Sequence, residues 1–221
     1  MLRPLRILFT QPIVFIMAVY QAILFGTNYS LYTNFEDIWG ANGYGYSTTG
    51  VGLMYLGFGA GFLIAVLFVV PRIDTVYNNL TARNNGHALP EFRLPLANIG
   101  SVLIPLGLFW FAWCVQYHVH WFPTVLSNVF FAIGQVTVFN TVQNYYIDSF
   151  AKYAASAIAA GAVFRSLIGG VIPLFAPGLF GQLGYGWGIS VFGFVSLALS
   201  PSPVLFYLFG ERLRKRFEIQ L

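Results

Sequence analysis

The sequence predicts an all-α integral membrane protein of six transmembrane helices, arranged as an inverted three-plus-three repeat. Three observations carry this. Of the 221 residues 57% are hydrophobic and only 8% charged, whereas soluble domains hold roughly 45–50% apolar and about 25% charged residues. Apolar runs of ~20 residues, the length a bilayer demands, recur six times along the chain. Basic residues gather at the ends of those runs, and only on one side of the membrane.

The spans fall at 12–32, 48–70, 96–116, 121–147, 154–174 and 187–209. The first follows a basic flank, Arg3 and Arg6, and is too long for the core of a cleavable signal peptide. It carries two amides, Gln21 and Asn28. The second is rich in glycine: Gly50, Gly52, Gly57, Gly59 and Gly61. The third has no amide in its middle and carries Pro105. The fourth is long enough to imply tilt or an end outside the membrane, and it holds five amides, Asn128, Gln135, Asn140, Gln143 and Asn144. The fifth repeats the small residues of the second, with Ala157, Ala160, Gly161, Gly169 and Gly170, and adds Arg165. The sixth repeats the prolines of the third, at Pro201 and Pro203. The same order of properties thus occurs twice, in opposite orientations, as in transporters built from inverted repeats. Helices are the default because the bilayer core supplies no water to open backbone groups, and short alternating segments of a β-barrel are absent.

Orientation follows from Lys and Arg. With the N-terminus inside, the inner segments hold Arg3, Arg6, Arg72, Arg83, Arg93, Lys152, Arg212, Arg214, Lys215 and Arg216. The outer segments hold none and carry Glu36 and Asp37 instead. The organisation is therefore a cytosolic segment 1–11, a six-helix domain 12–210 with an inner loop 71–95, and a cytosolic basic tail 211–221. Both termini face the cytosol, and the plasma membrane is the expected residence. The formal net charge of +4 marks topology rather than nucleic-acid binding, and the tail can meet anionic lipid. The sequon at Asn79, Leu80 and Thr81 lies in the inner loop, out of reach of glycosylation.

The amides have a geometry. Gln21 and Asn28 are seven residues apart, so at ~100° per residue they share one helix face. Asn128, Gln135 and Gln143 fall within ~80° of one another on the same arithmetic, and Asn140 and Asn144 widen that polar arc to about half the helix. One such amide is readily explained as helix–helix hydrogen bonding, worth only ~0.6 kcal/mol on average in membranes. Five on one helix favour a wet cavity. Gly57 and Gly61, and the ladder Ala162, Ser166 and Gly170, form small-xxx-small patterns that let helix backbones approach.

Membrane enzymes are excluded by what the chain lacks. His87, His118 and His120 are too few for a di-iron desaturase, and the His118/His120 pair has no third ligand nearby. No serine elbow and no carboxylate lie in mid-membrane, and the single Cys114 forbids an internal disulfide or a cysteine cluster. No cofactor or metal is expected.

Several separated stretches carry a resemblance. They are Tyr44-Gly45-Tyr46-Ser47 with Gly52-Leu53-Met54-Tyr55-Leu56, Pro90-Glu91-Phe92-Arg93-Leu94, and Pro105-Leu106-Gly107-Leu108-Phe109-Trp110. To these are added Tyr153-Ala154-Ala155-Ser156-Ala157-Ile158-Ala159-Ala160, Arg165-Ser166 and Pro173-Leu174-Phe175. Together they resemble the fungal twelve-spanner drug:proton antiporters of the major facilitator superfamily, over their C-terminal six helices. The resemblance implies one half of a major facilitator fold, with the first, second, fourth and fifth spans bordering a substrate cavity. Proposed substrate contacts are Gln21, Asn28, Asn128, Gln135, Asn140 and Arg165. It implies export of small organic compounds in exchange for protons, with an N-terminal transporter half or a second copy as partner. The gating and antiporter motifs of the family's N-terminal half have no counterpart here. The alternative is a truncated, transport-inactive membrane protein, since Met1 falls where the family's central linker would end.

Arg165 poses a separate question. At a bilayer centre arginine costs ~2.5–3.5 kcal/mol on insertion scales. It lies thirteen residues beyond Lys152, ~20 Å along a helix, too deep to snorkel to a headgroup. Three readings stand open: a structural tie to Gln135 and backbone carbonyls, a contact to substrate or a coupling anion, or a pairing with an acid on a missing half.

Overall fold

Pro12 opens the first membrane-spanning helix of the structure, a computed structural model that describes residues 9–150 and 153–216. A proline there costs nothing, because the first N–H groups of a helix have no intrahelical partner. This helix, α1 (Pro12–Thr33), ends at Asn34, whose Nδ2 donates to Ser30 O at 2.8 Å. A short α2 (Phe35–Trp39) follows, with Trp39 fully buried. Ser47 then caps the next run, its Oγ accepting from Gly50 N. That run is α3 (Thr48–Met54), α4 (Leu56–Ile64), a π-helical turn (Ala65–Val69) and α5 (Val70–Arg83). A 3₁₀ turn (Pro90–Arg93) leads to α6 (Pro95–Gln116), then α7 (Trp121–Ser149), α8 (Ala154–Leu199) and α9 (Ser202–Arg216). No strand occurs among the described residues.

Among the described residues five helical runs are long and apolar enough to cross a membrane, and Gly184 divides the last, Ala154–Arg214, into two arms. Gly184 reverses it, with φ 71° and ψ 171° inside α8. The reversal is visible in the side chains. The rings of Phe180 and Phe192 lie 6.3 Å apart, where twelve residues of straight helix would separate them by ~18 Å. Six spans result, and the chain is an all-α, multi-pass membrane protein.

Two segments differ from the sequence reading. The inner segment 71–95 is helical over its first half, because Pro71 sits in the first turn of α5 and the helix runs on to an Asn84 cap. The fifth span continues past 174 to the Gly184 turn, carrying Pro173 and Pro177 inside it. Arg3, Arg6 and Lys152 of the charge count, with segment 1–8 and the tail end 217–221, lie outside the described residues.

Close helix contacts repeat in pairs. α1 meets the first arm of α8 at glycines: a Cβ on Gly26 would lie 2.4 Å from Ile172 Cδ1, and one on Gly169 would lie 2.8 Å from Phe25 Cδ1. α4 meets α7 in the same manner, through Gly57 against Val125 and Gly61 against Ala132. Exchanging spans one and two for four and five converts the first pairing into the second, as an inverted repeat requires. α6 joins α7 through Gly100 and Gly134, and it joins the sixth span through Phe109 on Gly193 and Gln116 on Gly186.

Charged groups tie the end of the bundle that carries the 3₁₀ turn. Arg93 Nε donates to Asp148 Oδ2 at 2.7 Å, its Nη1 reaches Asp74, and its guanidinium lies over the Tyr77 ring. Arg214 Nε donates to Glu91 Oε1 at 3.3 Å. Glu36 and Asp37 belong to α2, at the opposite end of the bundle.

Candidate functional site

The amides of α1 and α7 face one another across a groove of about 350 Å³. α1 supplies Phe25, Asn28, Tyr29 and Tyr32 to it, α4 supplies Phe62, and α7 supplies Gln135, Val136, Phe139 and Asn140. The volume is at the lower end of ligand pockets, roughly 300–1,000 Å³. Its wall is aromatic with three inserted amides, and no charged side chain lines it.

Several polar atoms here have no hydrogen-bond partner among the described residues. Gln135 is 9% exposed and its Oε1 lacks a donor, as does Oδ1 of Asn28. A buried polar atom left without a hydrogen bond costs about 1–3 kcal/mol, so the groove is poised for water or a ligand. Asn140 Nδ2 donates to Val136 O, one turn back on its own helix, at 2.9 Å. Gln21 lies outside the lining; its Nε2 makes a long contact of 3.5 Å to Phe139 O, bracing α1 on α7 behind the wall. Asn128 is buried beside Gly57 in the α4–α7 seam, with Nδ2 unsatisfied. The structure thus brings Asn28, Gln135 and Asn140 together in the groove and sets Gln21 and Asn128 behind it.

Arg165 comes from the first arm of α8 and reaches between two rings that also line the groove. Its guanidinium carbon lies 5.0 Å from the centre of the Phe25 ring and 4.7 Å from that of Phe139. Desolvated cation–π contacts contribute up to ~2 kcal/mol each, enough to offset much of the insertion cost of the charge. They supply no acceptor to the N–H donors of the guanidinium. Nε and Nη1 are buried with no acceptor among the described residues. The tie to Gln135 is not made, because the Gln135 oxygen is itself without a donor.

The sequence reading missed the aromatic wall. Phe25 and Tyr32 stand three and four residues from Asn28, and Phe139 four from Gln135, so helical spacing already placed them on the amide faces. The histidines serve structure instead: His120 Nδ1 accepts from Phe122 N at the start of α7, and His118 packs edge-on against Tyr44. The second small-residue ladder does not pack within this bundle, since Ser166 is exposed and a Cβ on Gly170 would meet nothing.

Comparison with known proteins agrees with this architecture. The chain is 41% identical over 219 residues to the MFS transporter cpaT of Aspergillus oryzae, covering 99% of this chain and 44% of that protein. It is 42% identical over 214 residues to the efflux pump vrtL of Penicillium aethiopicum, covering 96% and 42%. It is 41% identical over 217 residues to the multidrug transporter mdrA of Aspergillus fumigatus, covering 98% and 35%. The chain spans less than half the length of each of these relatives. No solved structure matches it significantly. The sequence profile of the Major Facilitator Superfamily matches residues 1–173, over spans whose glycine seams and facing amide helices have just been described, and the chain belongs to that superfamily, a family of transporters and not of enzymes.

Proposed function

We propose that this chain forms one wall of an exporter for small organic compounds, driven by proton exchange, with both termini in the cytosol of a fungal plasma membrane. The observation that carries the reading is the groove between α1, α4 and α7, where amides with unsatisfied oxygens stand among aromatic rings. Asn28, Gln135 and Asn140 contact the compound. Gln21 and Arg165 back the wall, and Asn128 holds α4 on α7. An N-terminal transporter half or a second copy supplies the opposite wall, and rocking of the two opens the groove to each side in turn. Relatives named as efflux pumps support the direction of transport.

The test uses everted vesicles from yeast expressing the chain, with the lumen acidified and uptake of a panel of small aromatic compounds followed. Uptake that collapses with a protonophore is the expected result. A hydrogen bond contributes ~0.5–1.5 kcal/mol, so Asn28→Ala and Asn140→Ala should each lower uptake a few-fold. Vesicles that take up nothing would favour a transport-inactive membrane protein, and uptake indifferent to the gradient would remove the proton coupling.

A further inference from the structure

We infer that the groove selects organic anions: compounds with a flat apolar body and a carboxylate or similarly acidic group, whose charge is met by Arg165. This rests on the groove being the substrate site. It adds the chemical class.

Three features point the same way. The first is an unfilled valence. Arg165 is held between Phe25 and Phe139 with Nε and Nη1 buried and without an acceptor among the described residues. Contact with a ring leaves the N–H donors of a guanidinium unpaired, and its in-plane N–H edge is the geometry that pairs with a carboxylate. The second is position. The same two rings form part of the groove wall, and Arg165 reaches them from the first arm of α8, so the cation sits directly behind the surface a ligand would touch. The third is the company it keeps. The lining residues are aromatic, aliphatic and amide, with no acid or base among them, so no formal charge within the groove repels an anion or neutralises the cation first. Amide groups at Asn28, Gln135 and Asn140 can donate to an anion's second oxygen, whereas a cationic ligand would meet a like charge in a medium of low dielectric.

The measurement is equilibrium binding to the purified chain in nanodiscs of phosphatidylcholine, a lipid without net charge, with empty nanodiscs subtracted. The probes are radiolabelled 1-naphthoate and its uncharged partner of nearly equal shape, 1-naphthamide. Wild type should bind the carboxylate at least tenfold more tightly than the carboxamide. Arg165→Gln should remove that preference, so that the two probes bind alike, and its elution as a single peak at the wild-type volume in detergent shows that the variant is folded. Arg165→Lys, which keeps the charge and loses the planar fork, should retain part of the preference.

Equal binding of the two probes by wild type would overturn the anion preference. So would a preference that survives Arg165→Gln, because the charge would then come from elsewhere. The groove itself is checked separately by Asn28→Ala and Asn140→Ala. If these weaken both probes while Arg165→Gln changes nothing, the groove stands as the site and the charge selection falls. If neither probe binds, or both bind unaffected by the asparagine changes, the groove is not the site and both readings fall together.

Discussion

Gly134 and Gly100 meet backbone to backbone, and a Cβ added at Gly134 would lie 2.7 Å from Gly100 O and 3.1 Å from Ile104 N. Neither neighbour is the free end of a flexible side chain, so the clash has no cheap relief. Overpacking of this kind costs about 1–3 kcal/mol, against the ~1 kcal/mol that alanine gains over glycine in a helix. Gly134→Ala should therefore lower the thermal unfolding temperature in detergent, and Gly170→Ala, which meets open space, should hold it or raise it. Equal shifts for the two would mean that the α6–α7 seam is not close-packed. At this scale the sequence was a partial guide. Gly57 and Gly61 were legible as a packing stripe from spacing alone, but Gly170 has the same spacing and no partner. Spacing gives the face of a helix and does not say what stands opposite. For the same reason the amides were legible as one polar face, while the pairing of Arg165 with two rings was not, since it joins residues 25, 139 and 165 from three helices.

Among the elements, the charged end of the bundle is organised around Arg93, which joins the 3₁₀ turn to α5 through Asp74 and to α7 through Asp148. The two bonds are unequal. Asp74 is 69% exposed and Asp148 23%, and exposed pairs contribute only ~0–1 kcal/mol. Asp148→Ala should loosen the loop more than Asp74→Ala, read as faster trypsin cleavage at the exposed Arg83 from the inner side. Burial alone would lower the pKa of Arg93; the hydrogen-bonded carboxylates of Asp148 and Asp74 more than reverse this and raise it above its ordinary value. A cation with a raised pKa contributes its stability fully below its unfolded value, which for arginine is already far above neutrality, and loses it only as pH rises through the still higher folded value. The charge of Arg93 therefore persists from pH 6 to 9, and wild-type cleavage at Arg83, corrected for the protease's own profile, should show no step from it. The six spans themselves were legible because a bilayer fixes their length. The tight reversal at Gly184 was not, because a single glycine with positive φ leaves no polar loop in the sequence to mark it. Nor was the helical α5, whose polar residues follow Pro71 and read as loop.

For the whole molecule, the groove is open on one side, and the surface flanking it is apolar. Leu53, Leu56 and Leu63 on the second span, and Leu167, Leu174 and Phe175 on the fifth, are exposed. Between them Gly52, Gly59 and Gly170 would each meet nothing if given a side chain. Such positions let another helix come close, and the two stripes belong to spans that exchange under the inverted repeat. If a second copy completes the transporter, a two-fold interface brings the second span of one copy against the fifth of the other, because each contact then occurs twice. Cys114 is the sole cysteine and is buried, so introduced thiols report alone. The double variant Gly59→Cys with Gly170→Cys, oxidised in the membrane, should cross-link to a species of about twice 24.6 kDa. A chain that stays monomeric, whose thiols resist a membrane-impermeant maleimide and which co-purifies with a second polypeptide has its face covered by that other half, whereas resistance without such a partner is that of a face in lipid. Ready labelling of both thiols would leave the groove without an opposite wall, and the transport proposal would fail at the scale of the assembly even with every residue of the groove in place.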